Sequence, residues 1–178
     1  MFISDICHPH YLGCRVDHQK WRLTYEGGDN FIDSYLKQLS AREDNCDYNR
    51  RKQMTYCPGF AAAAVDDVRN AIYQRMVDII RTGGTSTYKR AIEGLDGGVD
   101  LYGSSMNTFI GTKVLPEMLA MKDVLVFVDM PKEVGTTLAD AQGLRPYAYI
   151  YQTEDIRSWI TDPMNPNEYD SVLLRDTY

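Results

Sequence analysis

The sequence predicts an α+β domain in which helices come first and a small mixed sheet follows. Two long segments, 29–39 and 61–81, carry apolar residues at helical spacing. After residue 123 the apolar residues lie instead in short runs that are typical of strands. A length of 178 residues with 44% hydrophobic and 25% charged residues suits one globular domain with its own core.

The first predicted helix begins near Asp29, which can cap it, just after the break at Gly27-Gly28. Its apolar stripe consists of Phe31, Ile32, Tyr35, Leu36 and Leu39. The polar, charged segment 41–52 that follows indicates either a solvated linker or the start of a helix, and Pro58-Gly59 interrupts it.

The clearest helix runs from about Ala61 to Arg81, before Gly83-Gly84. Its apolar residues Val65, Val68, Ile72, Met76 and Ile79 lie on one face. Ser104 or Ser105 can cap a further helix, which Pro116 should kink or end. The apolar positions of that helix are Met106, Phe109, Ile110 and Val114.

Three strands are predicted in the last third of the chain. Val124 to Val128 is apolar without alternation, which indicates a strand buried on both faces. Pro146 to Tyr151 and Ser171 to Arg175 are weaker candidates, with a short helix expected from Thr153 to Trp159 between them. Tyrosines dominate the segment 147–159, which is equally compatible with an interface and with a packed sheet face.

These patterns divide the chain into an N-terminal arm, residues 1–28, and an α+β domain, residues 29–178. The arm is rich in His, Cys and aromatic residues and reads as a tethered segment. Because the last predicted strand ends directly at the C-terminus, we expect the domain to be part of a longer protein that continues past Tyr178.

Charge and composition exclude several classes of protein. A net charge of -6 and a pI near 5.0 argue against tight general binding to nucleic acid, although an acidic conduit would let DNA slide past. The apolar run Val124 to Val128 is far shorter than the roughly 20 residues of a membrane span. We therefore expect no membrane partner, synthesis in the cytosol, and free thiols at all four cysteines.

Metal and catalytic motifs are incomplete. The cluster of Cys7, His8, His10, Cys14 and His18 contains zinc-type donors, but its spacing fits no common finger or ribbon. The sequence thus predicts no metal site.

A nucleotide site or a hydrolase is not favoured either. The strand ending in Asp129 has the shape of a Walker B element, yet no GxxxxGK phosphate loop accompanies it. Gly103-Ser104-Ser105 does not form a GxSxG elbow. We predict a protein that is not an enzyme, without catalytic or cofactor-binding residues and without cofactors.

Four segments of the chain are informative as an ordered set. The first is Val99-Asp100-Leu101-Tyr102-Gly103-Ser104-Ser105-Met106 with Phe109, and the second is Val124 to Pro131. The third is Arg145 to Tyr151 with Glu154-Asp155-Ile156 and Trp159, and the last is Val172-Leu173-Leu174-Arg175. In this order they resemble the N-terminal half of tailed-bacteriophage portal proteins. The resemblance spans the chain from Tyr48 onward, and Lys122-Asp123 departs from the Gly-Arg of the family pattern.

The resemblance implies a portal wing-like fold and a structural role in the virion. Portal (head-tail connector) proteins form rings, normally of twelve subunits, at one capsid vertex, through which DNA is packaged and ejected. Implied partners are further copies of the chain, capsid, scaffold, packaging-motor and tail-adaptor proteins, and DNA that passes without sequence-specific binding. The implied location is the portal vertex of the virion, reached from the host cytoplasm during assembly. The alternatives are another head-tail adaptor or capsid-associated protein, or a small α+β enzyme with Asp129 at its site.

Overall fold

Helices occupy the chain up to Met121, and strands follow. The computed structural model describes residues 6–76, 79–130 and 145–175. The α-helices in these ranges are α1 (Pro9–Glu26), α2 (Gly28–Tyr35), α3 (Asn45–Met54), α4 (Phe60–Met76), α5 (Ser86–Ile92), α6 (Met106–Phe109) and α7 (Leu115–Met121). The strands are β1 (Leu125–Asp129), β2 (Tyr147–Tyr151), β3 (Ile156–Thr161) and β4 (Tyr169–Leu174). The predicted α+β class is confirmed.

The strands form two separate antiparallel pairs, β1 with β2 and β3 with β4, where one mixed sheet was expected. A 3-10 turn at Thr153–Asp155 separates β2 from β3 and redirects the chain, so the second pair starts a new sheet. The helix predicted from Thr153 to Trp159 is therefore wrong beyond this turn. Ile156 and Trp159 have helical spacing, but both belong to β3, and apolar and aromatic residues are also favoured in strands.

The N-terminal segment differs most from expectation, since α1 is an 18-residue helix and not a tethered arm. Pro9 occupies its first turn, and the ring Nδ1 of His8 accepts a hydrogen bond from the backbone N–H of His10 at 3.2 Å. Tyr11 and His18, two turns apart, are buried. The buried side of α1 contains amphipathic residues, so it lacks the aliphatic stripe by which helices are usually recognised.

Helix boundaries elsewhere follow from capping and from Pro116. Asp44 caps α3, so the polar segment 41–52 is largely helical, whereas α2 begins at Gly28 without a side-chain cap from Asp29. Ser105 caps α6, as predicted, by accepting from the N–H of Thr108 at 3.1 Å. The helix predicted to Arg81 is described only to Met76, and Ile79 to Arg81 lie outside any helix.

The break expected at Pro116 is a π-helical segment, Ile110–Val114, that joins α6 to α7. Proline lacks an N–H and cannot continue the i to i−4 ladder, and the wider turn precedes it. Helices α1, α4 and α7 contact one another, and few apolar residues are buried in the part of the chain that the structure describes. They are Tyr11, Ile32, Val99, Phe109 and Met121.

None of the described helices combines the length and hydrophobicity that crossing a membrane requires.

Candidate interaction surface

The β1–β2 pair, called the tyrosine ribbon below, presents an aromatic face. Phe127 lies directly across from Tyr149 in the antiparallel register, and their ring centroids are 5.5 Å apart. The Tyr149 ring lies 5.9 Å from that of Tyr147 and 5.4 Å from that of Tyr151, a continuous row along β2. A hydrogen bond with Tyr151, together with burial, raises the pKa of Tyr149 above its usual range.

β1 is not buried on both faces, which contradicts the prediction from its composition. Val126 is 41% exposed, Phe127 38% and Val128 65%. In the described part of the chain β1 pairs with β2 alone, so the other edge of β1 has no neighbouring strand. An apolar, solvent-facing strand at a sheet edge is a surface that natural proteins usually cover with a partner.

Asp129 ends β1 and has a structural role. Its carboxylate accepts the N–H of Met130 at 2.7 Å and the hydroxyl of Tyr147 at 3.4 Å. These bonds cap the strand and tie it to β2, in line with the turn role that Asp commonly has. No cluster of side chains that could hold a metal ion surrounds Asp129 in the described part of the chain, so the structure adds nothing to the Walker-type interpretation.

A loop built around Asp100 joins the helical part of the chain to the ribbon. The carboxylate of Asp100 is buried and accepts hydrogen bonds from the N–H groups of Tyr102 at 3.0 Å and Ser104 at 3.2 Å. The Ser104 hydroxyl, at 2.8 Å, and Lys113 Nζ, at 2.6 Å, complete the cluster. From the same loop, the carbonyl of Val99 accepts the N–H of Ala148 in β2 at 2.7 Å.

The Ser104 hydroxyl donates to Asp100 and is thus part of this cluster. Burial disfavours the charged carboxylate of Asp100, but the hydrogen bonds from Lys113, Ser104 and the backbone outweigh it and lower its pKa to about 2. A carboxylate held in the ionised form by its donors stabilises the loop and is poorly suited to accept a proton. These bonds give Asp100 and Ser104 a structural role in the loop.

Gly98 packs closely against the backbone of Gly103 and Ser104 in the same loop. We expect Gly98→Ala to reduce the free energy of unfolding by about 3 kcal/mol. The φ of Gly98 is +67°, and an added Cβ would overlap the backbone oxygen and nitrogen of Ser104 and lie 2.6 Å from the carbonyl carbon of Gly103. Chemical denaturation measures the loss. Gly103→Ala is the matched control, because its φ is +87° but a Cβ would meet nothing within 4 Å. It should lose about 1 kcal/mol; equal losses in the two variants would contradict the steric argument.

Arg22 holds α1 to the rest of the chain. Its guanidinium donates to both carboxylate oxygens of Glu117, at 2.8 Å each, and to those of Glu154, at 2.8 and 3.0 Å. Burial by itself would lower the pKa of Arg22, but the bonds to Glu154 and Glu117 raise it. This bridge joins α1, α7 and the 3-10 turn, and sequence reasoning missed it because the three residues are far apart in the chain.

The Cys/His cluster of the N-terminal segment is spread along α1. His8 stacks on Trp159 with ring centroids 4.1 Å apart, and Cys14 Sγ lies 3.8 Å from His10 Nε2. His18 is buried one turn before Trp21 and contacts its ring. Within residues 6–76, 79–130 and 145–175 no group of three or more His, Cys, Asp or Glu side chains could hold a metal ion. Cys7, Cys14, Cys46 and Cys57 are free thiols.

The structure brings the four segments of the resemblance together only in part. The loop at Asp100 meets the ribbon through Val99, and Arg175 after β4 pairs with Asp155 at 2.7 Å. No protein-family model matches the chain, and no curated protein shows significant sequence similarity to it.

Proposed function

We propose that this chain is a structural protein of a tailed-phage virion, a portal subunit that assembles with further copies of itself into the ring at the capsid vertex. The observation that carries the proposal is the exposed apolar strand β1, with Val126, Phe127 and Val128 accessible at a sheet edge. A two-stranded ribbon by itself is marginal in water, and the addition of a neighbouring strand or apolar surface would stabilise it.

The other polar clusters are consistent with this role. The carboxylates of Asp100 and Asp129 accept hydrogen bonds within the loop and the strand, and the guanidinium of Arg22 pairs with two glutamates. The ordered resemblance to portal proteins adds support, since its second and third segments contain the two strands of the ribbon. A net charge of -6 suits a channel protein past which DNA moves without being held.

Electron microscopy of the expressed protein, with light scattering for its mass, tests the proposal. We expect rings, normally of twelve copies, for the wild type. Val128→Lys should abolish rings and leave folded monomers, because it places a charge on the exposed strand.

Val16→Lys is the matched control, since Val16 is 72% exposed but lies on α1. It should assemble like the wild type. Wild-type monomers would overturn the proposal and favour an adaptor or enzyme instead. Rings that survive Val128→Lys would show that β1 is not the contact and would remove the observation on which the proposal is based.

A further inference from the structure

The loop around Asp100 carries an exposed apolar tip, formed by Leu101 and Tyr102 and called the loop tip below. Leu101 is 48% exposed and Tyr102 is 88% exposed. The carboxylate of Asp100 accepts the N–H of Tyr102 at 3.0 Å, and Lys113 Nζ lies 5.0 Å from the centre of the Tyr102 ring. A cation over an aromatic ring is attracted to it. These contacts order the loop tip although solvent surrounds most of it.

The backbone of the loop tip is strained. The φ of Leu101 is +66°, in the left-handed region that bulky residues rarely adopt. Such a conformation costs free energy and persists only where the surrounding structure holds it, most often at functional sites. Asp100 holds it here through hydrogen bonds from the backbone N–H groups of Tyr102 and Ser104. The fold thus maintains a strained loop that presents two apolar side chains to solvent, as a recognition loop does.

A cavity of about 400 Å³ lies where α1 and α7 meet the second strand pair. Its apolar and aromatic lining includes Tyr11, Met118, Leu125, Trp159 and Val172. Met118 is 51% exposed, so the lining reaches the protein surface. The volume lies within the range of roughly 300–1,000 Å³ that binding cavities commonly have, and aromatic rings attract one another edge-to-face or offset. The cavity therefore suits an aromatic side chain.

The loop tip and the cavity lie at different ends of the tyrosine ribbon. The carbonyl of Val99 accepts the N–H of Ala148, which pairs with Val128 in the register. Leu125, which lines the cavity, pairs with Tyr151 three residues further along the ribbon. Three residues span about 10 Å of strand. Because the loop tip is also largely exposed, it does not fill the cavity of its own chain, and each chain carries both a projection and an opening.

We propose that Tyr102 of one copy inserts into this cavity of the next copy, so that identical chains associate head to tail. The cavity starts at Leu125, the first residue of β1, and is therefore continuous with the strand that carries the proposed assembly surface. A contact between two different surfaces of the same chain closes into a ring when the rotation allows it. Tyrosine is also among the residues that dominate the binding energy of interfaces. The inference rests on the proposed self-assembly and specifies its contact.

Light scattering on Tyr102→Ser tests the projection. The side chain is 88% exposed, so the variant should fold like the wild type. Its association should weaken by about 30-fold or more, the usual effect at a dominant interface residue. Tyr56→Ser is the matched control, because Tyr56 is 82% exposed and lies between α3 and α4. It should change the association constant by less than about twofold.

Met118→Lys tests the cavity, since it places a charge in the apolar lining at an exposed position. Each single variant should be monomeric at concentrations where the wild type assembles. An equal mixture of Met118→Lys and Tyr102→Ser should instead form a dimer and stop there, because one intact tyrosine meets one intact cavity and the remaining surfaces cannot extend the pair. If Met118→Lys does not fold, Tyr169→Ser replaces it, because Tyr169 lines the cavity and is 60% exposed.

The outcomes separate this inference from the proposed function. If Tyr102→Ser assembles like the wild type, or if the mixture stays monomeric, the head-to-tail contact is overturned while assembly through β1 still stands. Wild-type monomers would overturn both proposals. An equal weakening by Tyr56→Ser would show that the loss does not depend on the loop tip and would also overturn the contact.

Discussion

Asp100→Ala should reduce the free energy of unfolding by about 2–3 kcal/mol, because it removes the buried acceptor of several hydrogen bonds in the loop. The substitution leaves Lys113 Nζ without its carboxylate and deprives the N–H groups of Tyr102 and Ser104 of their acceptor. Since the loop also contacts β2 through the hydrogen bond from Ala148 to Val99, the substitution should destabilise the tyrosine ribbon as well. Urea unfolding, followed by tyrosine and tryptophan fluorescence, measures the difference.

Asp66→Ala is the control for this variant. Asp66 pairs with Arg69 one turn away on α4, at 2.8 Å, and the side chains are 43% and 27% exposed. Surface pairs at this helical spacing contribute only about 0.5 kcal/mol. A loss below 1 kcal/mol for Asp100→Ala would show that the cluster around Asp100 is not a stabilising element.

The acid dependence of stability gives a second check on Asp100. Its pKa is lowered to about 2 in the folded chain, because the donors outweigh burial, whereas an unfolded Asp titrates near 3.9. A lowered pKa means that the stabilisation is fully present above pH 3.9 and is lost as the pH falls toward 2. The difference in the free energy of unfolding between the wild type and Asp100→Ala should therefore decrease by about 2 kcal/mol between pH 5 and pH 2. A constant gap would contradict the lowered pKa.

Arg22→Met should reduce the free energy of unfolding by about 3 kcal/mol, because it leaves Glu117 and Glu154 without the cation they share. The apolar stem is largely kept in methionine, so the loss reports on the charge. The triple variant Arg22→Met, Glu117→Gln, Glu154→Gln should lose less than the single variant, since no uncompensated charge remains. Denaturant unfolding compares the two.

Arg69→Met on α4, whose side chain is 27% exposed and pairs with Asp66 one turn away, serves as the control and should change the free energy of unfolding by less than about 1 kcal/mol. If the triple variant is as unstable as Arg22→Met, then the uncompensated glutamates are not the cause of the loss. If Arg22→Met is as mild as the control, the bridge does not anchor α1.

Sequence patterns located the elements that depend on local interactions. The cap at Ser105 follows from a single residue and its immediate neighbours, and it is found where predicted. At Pro116 the helix continues as α7 after a π-helical segment and does not end. Strands β2 and β4 were recognised because their β-branched and aromatic residues favour extended backbone over short runs. The α+β class follows from the order of these segments.

By itself, then, the sequence determined the fold class, the cap at Ser105 and most of the strands, because each depends on residues close together in the chain. Only the tertiary structure decided that α1 is packed, that β1 is exposed, and which partner each strand has. The Arg22 bridge, the loop at Asp100 against β2, and the cavity beside α1 all join segments distant in sequence. Periodicity reports which face of an element is apolar, but not what will cover it, and the apolar run of β1 therefore predicted burial that a single neighbouring strand does not provide.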